Sequence, residues 1–190
     1  MGSKGESNRQ LIVNAADQLF YRRGYHQTSF RDISDATGIP RGNFYYYFKT
    51  KDDILNAVVE SRVQVYSEML QACEQESSDP RKRLLCFSNM LSNFEDSIVL
   101  NGCPIGTLCS ELAKDEADLK EVSRAVFLLI RNWLTEQFTA LNCADADDKA
   151  MDMMARMQGV TVMASAFGDR KFIHRSLAEL QAWINSQTLN

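Results

Sequence analysis

Apolar side chains recur along this chain at three- and four-residue intervals, and no stretch alternates polar with apolar long enough to make a strand. The first periodic segment sets Leu11, Ala15 and Leu19 beside Ile12, Ala16 and Phe20. Ser7-x-x-Gln10 before it fits a capping box, and Gly24 after it supplies a left-handed stop. A second helix opens at Thr28 or Ser29, with Asp32 completing a box to Ser29. It should turn Phe30, Ile33 and Ala36 inward and end at Gly38 after about two turns. Pro40 pre-sets φ for a third helix through Phe48, because its missing N–H would be unpaired there anyway. Thr50-x-x-Asp53 then caps a long fourth helix with Leu55, Val58, Val59, Arg62, Tyr66, Met69 and Cys73 on one side.

The same period continues downstream. Asp79-Pro80 starts a fifth helix bearing Leu84, Phe87, Leu91, Phe94 and Ile98 up to Asn101-Gly102, and Pro104 starts a sixth through Leu108 and Leu112. Residues 117–141 carry Leu119, Val122, Val126, Leu129 and Trp133 on one stripe. After an Ala/Asp-rich turn come Met151, Met154, Met157, Val160, Ala164 and Phe167, closed by Gly168, and a last helix uses Leu177, Leu180 and Ile184. The expectation is an all-α protein of about nine helices: a three-helix N-terminal head joined by a long helix to a C-terminal bundle.

Composition narrows the class. With 45% hydrophobic and 24% charged residues in 190, the chain has the make-up of a folded globular protein. Its apolar runs, such as Ala125 to Ile130, fall far short of the roughly 20 residues needed to span a bilayer, and no apolar signal segment follows the N-terminal charges, so a cytoplasmic location is expected. Met1 to Gly5 reads as a frayed start. Five cysteines without C-x-x-C spacing (Cys73, Cys86, Cys103, Cys109, Cys143) argue against a disulfide framework or a zinc knuckle, and predict unpaired thiols. The formal charge of −4 is uneven: residues 1–55 hold eight Lys/Arg against six acids, and the remainder holds 13 against 19. A polyanion would therefore meet the N-terminal end.

The second helix, the break Gly38-Ile39-Pro40 and the third helix have helix-turn-helix proportions. In that motif two short helices cross steeply, the first bracing on phosphates and the second entering the major groove. Ile33, Ile39, Phe44 and Phe48 can pin the pair to helix one, leaving Arg41, Asn43, Tyr46 and Tyr47 outward, with Gly42 permitting close approach. The residues Ala15-Ala16-x-x-Leu19-Phe20-x-x-x-Gly24-Tyr25-x-x-Thr28-Ser29-x-Arg31-Asp32-Ile33, then Gly38-Ile39-x-x-Gly42-x-Phe44-Tyr45-Tyr46-Tyr47-Phe48-Lys49-x-Lys51-x-x-Ile54-Leu55, resemble the DNA-binding head of the TetR family of transcriptional regulators.

The resemblance covers about fifty residues. It implies a helix-turn-helix domain over 1–49, a ligand-binding and dimerisation domain over 50–190, a homodimer on double-stranded operator DNA, and repression relieved by a small molecule. It assigns phosphate contacts to Thr28 or Ser29, Tyr45, Lys49 and Lys51. Base or mixed contacts fall to Arg31, Arg41, Gly42, Asn43 and Tyr47, with Tyr46 either reading DNA or packing the head. Pro40 stands where the family often has a Ser or Thr cap, so that cap bond and any phosphate contact from it are missing.

An apolar or amphipathic ligand would sit among Met90, Leu91, Phe94, Cys103, Phe127, Ile130 and Trp133, and the dimer would form through the last two helices. Cys103, between Gly102 and Pro104 at a helix start, is either a packed small residue or a sensor thiol. Catalysis finds little: His26 and His174 lie apart, no H-E-x-x-H, G-x-S-x-G or phosphate-cradling loop is present, and no metal or cofactor is expected. Glu111, Asp115, Glu116 and Asp118 read as a solvated acidic face. Readings from other classes are a thiol enzyme at Cys103 or a helical module whose head binds protein. Weak salt dependence of DNA binding would mark the second.

Overall fold

The computed structural model describes residues 3–114 and 117–187, and the side chains of 3–6, 41 and 117 stand outside that description. Twelve helical segments follow one another with no strand among the described residues. They are α1 (Ser3–Arg23), α2 (Phe30–Thr37), α3 (Arg41–Tyr47), α4 (Lys51–Glu76), α5 (Pro80–Ser88), α6 (Met90–Asn93), α7 (Glu95–Asn101), α8 (Pro104–Leu112), α9 (Ala117–Ser123), α10 (Ala125–Ala140), α11 (Ala146–Phe167) and α12 (Arg170–Ser186). The all-α class is as expected, and the larger number of segments has local causes.

The periodic stretch 80–101 is broken twice. Asn89 shares its N–H between the Leu85 and Cys86 carbonyls at 3.3 and 3.2 Å, while the Ser88 hydroxyl donates to Leu85 at 2.7 Å. Phe94 leaves helical backbone at φ −116°, ψ 19°. Side-chain competition for a helix carbonyl bends the ladder without disturbing the apolar period, so periodicity alone cannot see it. The stretch 117–141 likewise divides at Arg124, after the Ser123 hydroxyl has taken the Lys120 carbonyl.

Several start and stop signals hold. Ser29 and Asp32 make the reciprocal capping box of α2, and Gly38 ends it at φ 69°, ψ 5°. Thr50 and Asp53 exchange the corresponding bonds at the start of α4, with Asp53 also accepting from the Lys49 N–H at 2.8 Å. Both carboxyls sit below the ordinary carboxylate value because the caps donate to them: the Ser29 side chain to Asp32, and the Thr50 N–H to Asp53. Two local expectations fail. Helix α1 begins at Ser3, so Ser7 lies inside the helix and caps nothing. Ala36 is exposed, because Ile33 alone turns fully inward on a helix of eight residues.

The chain divides into two compact units. The first comprises 1–64 with 107–125, and its core gathers Ile12, Ala16, Phe20, Ile33, Ile39, Phe44 and Phe48 with Ile54, Leu55 and Val58 of α4 and Leu108 and Leu112 of α8. The boundary expected between 49 and 50 therefore does not coincide with this division: α1 and the two short helices after it bury too little by themselves, and parts of α4 and α8 complete their core. Arg62, on the core-facing stripe of α4, donates from Nε to Asp17 of α1 at 2.6 Å, which pairs a cation that is almost wholly buried.

The second unit comprises 65–106 with 126–190. Here α12 packs on α5, α6, α7 and α11, and α7 also packs on α11. Arg81 donates to the Asn185 and Gln187 carbonyls at 2.8 and 2.7 Å, which satisfies acceptors at the end of α12. The expectation of unpaired thiols is corrected in this unit: Cys73 and Cys86 form a disulfide, their Cα atoms 5.8 Å apart. The turn 77–79 folds α5 back beside α4, with Arg83 donating to the Ser77 carbonyl, and a separation of 13 residues is then short in space. Cys103, Cys109 and Cys143 are not disulfide-bonded.

Closing so short a loop limits the unfolded chain, an effect of roughly 2–3 kcal/mol. Urea unfolding of the oxidised protein should lose about that much on adding a reductant, while Cys73→Ser should unfold alike with and without it. An intact mass showing five alkylatable thiols in the untreated protein would contradict the bond.

Candidate nucleic-acid interface

Seven residues of α3 leave room for one buried stripe. Phe44 is fully buried, and Phe48, just past the helix, is buried too, so Gly42, Asn43, Tyr45 and Tyr46 are turned to solvent. Asn43 and Gly42 are exposed, Tyr46 is 70% exposed and Tyr45 49%. A Cβ on Gly42 would meet nothing within 4 Å, so nothing inside this chain requires a glycine there. Pro40 opens the helix without a side-chain cap, its carbonyl accepting from the Asn43 N–H at 2.8 Å. Tyr47, expected outward, is half-buried against the core with its ring edge-on to Tyr46. The side chain of Arg41 lies outside the described residues.

The flanks of α3 divide into exposed and engaged groups. The ring of Tyr45 stacks on Phe30 of α2 with centroids 5.9 Å apart, which holds its hydroxyl end at the surface. Exposed Lys49 donates to the Tyr45 carbonyl at 2.8 Å, a cation at a helix C-terminus. Arg31 projects from α2, only 3.7 Å from Asp35, and both are largely solvated. Ser29 is exposed at the start of α2. Thr28, by contrast, is 1% exposed and donates its hydroxyl to the Gly24 carbonyl at 2.7 Å, so of the two candidates for a phosphate contact only Ser29 faces outward.

Lys51 is also drawn inward. Its ammonium donates to the Tyr25 and Thr28 carbonyls at 3.0 and 3.2 Å and stands 4.1 Å from the Tyr25 ring centroid. Burial pushes this amine below its usual pKa, against the opposing pull of Asp52 and Glu111. The α1–α2 turn that it braces is held by two further groups that sequence reasoning missed. The Tyr25 hydroxyl donates to Asp52, and Glu111 accepts from the Tyr25 N–H at 2.9 Å and the His26 N–H at 2.8 Å. Glu111 is thus no part of a solvated acidic face. The correction has a plain cause: its partners lie some 85 residues upstream, beyond any local pattern. Asp118 is exposed as expected, while Asp115 and Glu116 lie outside the described residues.

The residues proposed for a ligand all fall in the second unit, in differing surroundings. Leu91, Ile130 and Trp133 are buried; Met90, Cys103 and Phe127 are half-buried; Phe94, at the break between α6 and α7, is 48% exposed and does not join an enclosed wall. Trp133 donates from Nε1 to Glu74 at 2.8 Å and tilts against Phe87 at 5.8 Å, and neither partner was anticipated. Cys103 Sγ accepts from the Gly106 N–H and the Gln158 amide, both at 3.3 Å. Among the described residues no helix is long and apolar enough to cross a membrane, and no cluster of His, Cys, Asp and Glu has metal-binding geometry.

Known proteins resemble both the N-terminal and the downstream parts of the chain. Residues 12–58 match the family model described as bacterial regulatory proteins, tetR family, and residues 84–179 match the LmrA/YxaF-like transcriptional regulator C-terminal domain. The uncharacterized HTH-type regulator YxaF of Bacillus subtilis is 32% identical over 129 residues, 67% of each chain. LmrA of the same organism, an HTH-type transcriptional regulator, is 24% identical over 92% of this chain and 95% of its own. Among solved structures, a TetR regulator from Chloroflexus aurantiacus superposes with TM-score 0.88 at 22% identity over 98% of both chains. A TetR-family regulator from Agrobacterium tumefaciens reaches 0.85, also at 22%, over 94% of this chain and 98% of its own. At that identity the superpositions speak for the fold.

Proposed function

This chain belongs to the TetR family of transcriptional regulators, DNA-binding proteins and not enzymes, and from that footing we propose that it is a cytoplasmic repressor acting as a homodimer. Two copies read an inverted repeat in double-stranded DNA and leave it when a small apolar or amphipathic molecule enters the second unit. The observation that carries this reading is the outward face of α3, where Gly42, Asn43 and Tyr46 stand exposed over the buried Phe44. Small, amide and aromatic groups on a short helix suit a major groove. Ser29, Tyr45 and Lys49 flank that face and suit the phosphates on either side, with Arg31 and Arg41 supplying cations for mixed contacts. Thr28 and Lys51 are left to shape the turn behind them.

Dimerisation is supported by α11, whose solvent side carries Met151, Ala155, Gly159, Val162, Met163, Ala166 and Phe167, and by Ala178 and Ala182 exposed on α12. Charged residues (Asp148, Asp152 and Arg156) are exposed beside the first half of this face, but from Gly159 to Phe167 it carries none, and such an apolar stretch on a helix that also has a buried side is what a second copy would cover. Two heads would then meet successive major grooves about 34–36 Å apart. Release by ligand is supported by the continuity of α4 from the first unit into the second. It requires only that ligand favour one spacing of the two α3 helices over another. A second reading, in which Cys103 senses electrophiles or oxidants, is favoured by the two N–H donors on its sulfur, which suit a thiolate.

Lys49→Ala should weaken binding to every duplex alike and lower the salt slope by about one, whereas Asn43→Ala should relax preference at particular base pairs by roughly 1–3 kcal/mol. Fluorescence anisotropy across a salt series reads both, and wild-type behaviour in both variants would sink this docking. Met163→Glu should yield a monomer by light scattering, with operator affinity lost alongside. If Cys103 is the sensor, Cys103→Ser should retain DNA through treatment with an electrophile that releases the wild type, and equal release would dismiss that reading.

A further inference from the structure

We propose that Glu111 is a positioning residue for DNA binding: its carboxylate is the built-in anion of a backbone nest that fixes the α1–α2 turn, and through it the phosphate-facing start of α2. Gly24 ends α1 at φ 87°, and the two N–H groups that follow, of Tyr25 and His26, converge on the two oxygens of the one carboxylate at 2.9 and 2.8 Å. Successive N–H groups after a left-handed residue form the concavity that elsewhere binds phosphate or other anions, and charge-assisted bonds of this kind are about twice as strong as neutral ones. The fit is close: a Cβ on Gly24 would lie 2.8 Å from Glu111 Oε2, so glycine serves the contact as well as the turn.

The carbonyl side of the same turn is taken by Lys51, and the Tyr25 side chain by Asp52. Unlike Lys51 and Asp52, Glu111 arrives from outside the sequence-local head, on α8. Three residues past His26 the turn delivers Ser29, the exposed cap of α2. Loosening the nest would therefore move the first helix of the motif against its phosphates without removing any group that touches DNA.

The inference rests on the DNA-binding reading above, and the test separates the two. The probe is a labelled duplex selected from a random library by the wild-type full-length protein. Failure of the wild type to select any duplex would count against that reading itself. Glu111→Gln removes a negative charge from a protein of net charge −4, and on charge grounds alone it would tighten DNA binding. The nest reading expects the opposite, a roughly tenfold weaker complex, with faster amide exchange at Tyr25 and His26. Glu121→Gln, which removes the same charge from an exposed neighbouring helix, should show only the electrostatic tightening.

Glu111→Asp keeps the charge and withdraws the carboxylate by one methylene, and should weaken binding by about threefold with the fold intact by circular dichroism. It decides the matter if the amide variant unfolds. Wild-type affinity in the aspartate variant, or in a folded amide variant, would overturn the role, as would a lowered unfolding midpoint with unchanged DNA affinity of the folded protein.

Discussion

A helix as short as α3 has little to hold it except what it buries, and Phe44 is that anchor. Once its ring enters the core with Ile33, Ile39 and Phe48, the helical period leaves Asn43 and Tyr46 nowhere to go but outward. The surface proposed to face DNA is in this sense the complement of the core. Its orientation is determined by apolar contacts on the far side, and its precision depends on how rigidly those contacts hold. Stacking of Tyr45 on Phe30 and the Lys49 bond to the Tyr45 carbonyl extend the same rigidity to the end of the helix.

Positive charge in the head has been divided between two uses. Lys49 and Arg31 remain in solvent, where a phosphate can reach them; Lys51 spends its donors on the turn between α1 and α2, and Arg62 is committed to Asp17. A modest excess of cations over acids in the first 55 residues thus overstates what is offered to a polyanion. The turn uses buried and half-buried polar bonds where a larger domain would use more apolar area. That suits a head whose first three helices cannot close a core without parts of α4 and α8.

In the second unit the same economy takes another form. The stretch 80–101 keeps a single apolar period while its backbone breaks at Asn89 and Phe94, and α5, α6 and α7 each pack on α12, with α7 also on α11. The Cys73–Cys86 bond ties the end of α4 to α5 across the turn at 77–79. Apolar groups left on the outer side of α11 give that unit a face which its own helices do not cover.

Much was legible from local chemistry. The helix periods, the Ser29–Asp32 and Thr50–Asp53 caps, the Gly38 stop and the outward placement of Asn43 and Tyr46 on α3 are properties of residues within about one turn of each other, where side-chain direction and hydrogen-bond reach follow from spacing. The tertiary structure decided what depends on distant partners. It paired Glu111 with the turn at Tyr25, Arg62 with Asp17, Trp133 with Glu74 and Cys73 with Cys86, buried Thr28, engaged half-buried Lys51 with the turn, and broke two continuous periods. A carboxylate or a thiol carries no mark of its partner along the chain, because the energy of such a contact exists only once folding has brought the two groups within about 3–6 Å.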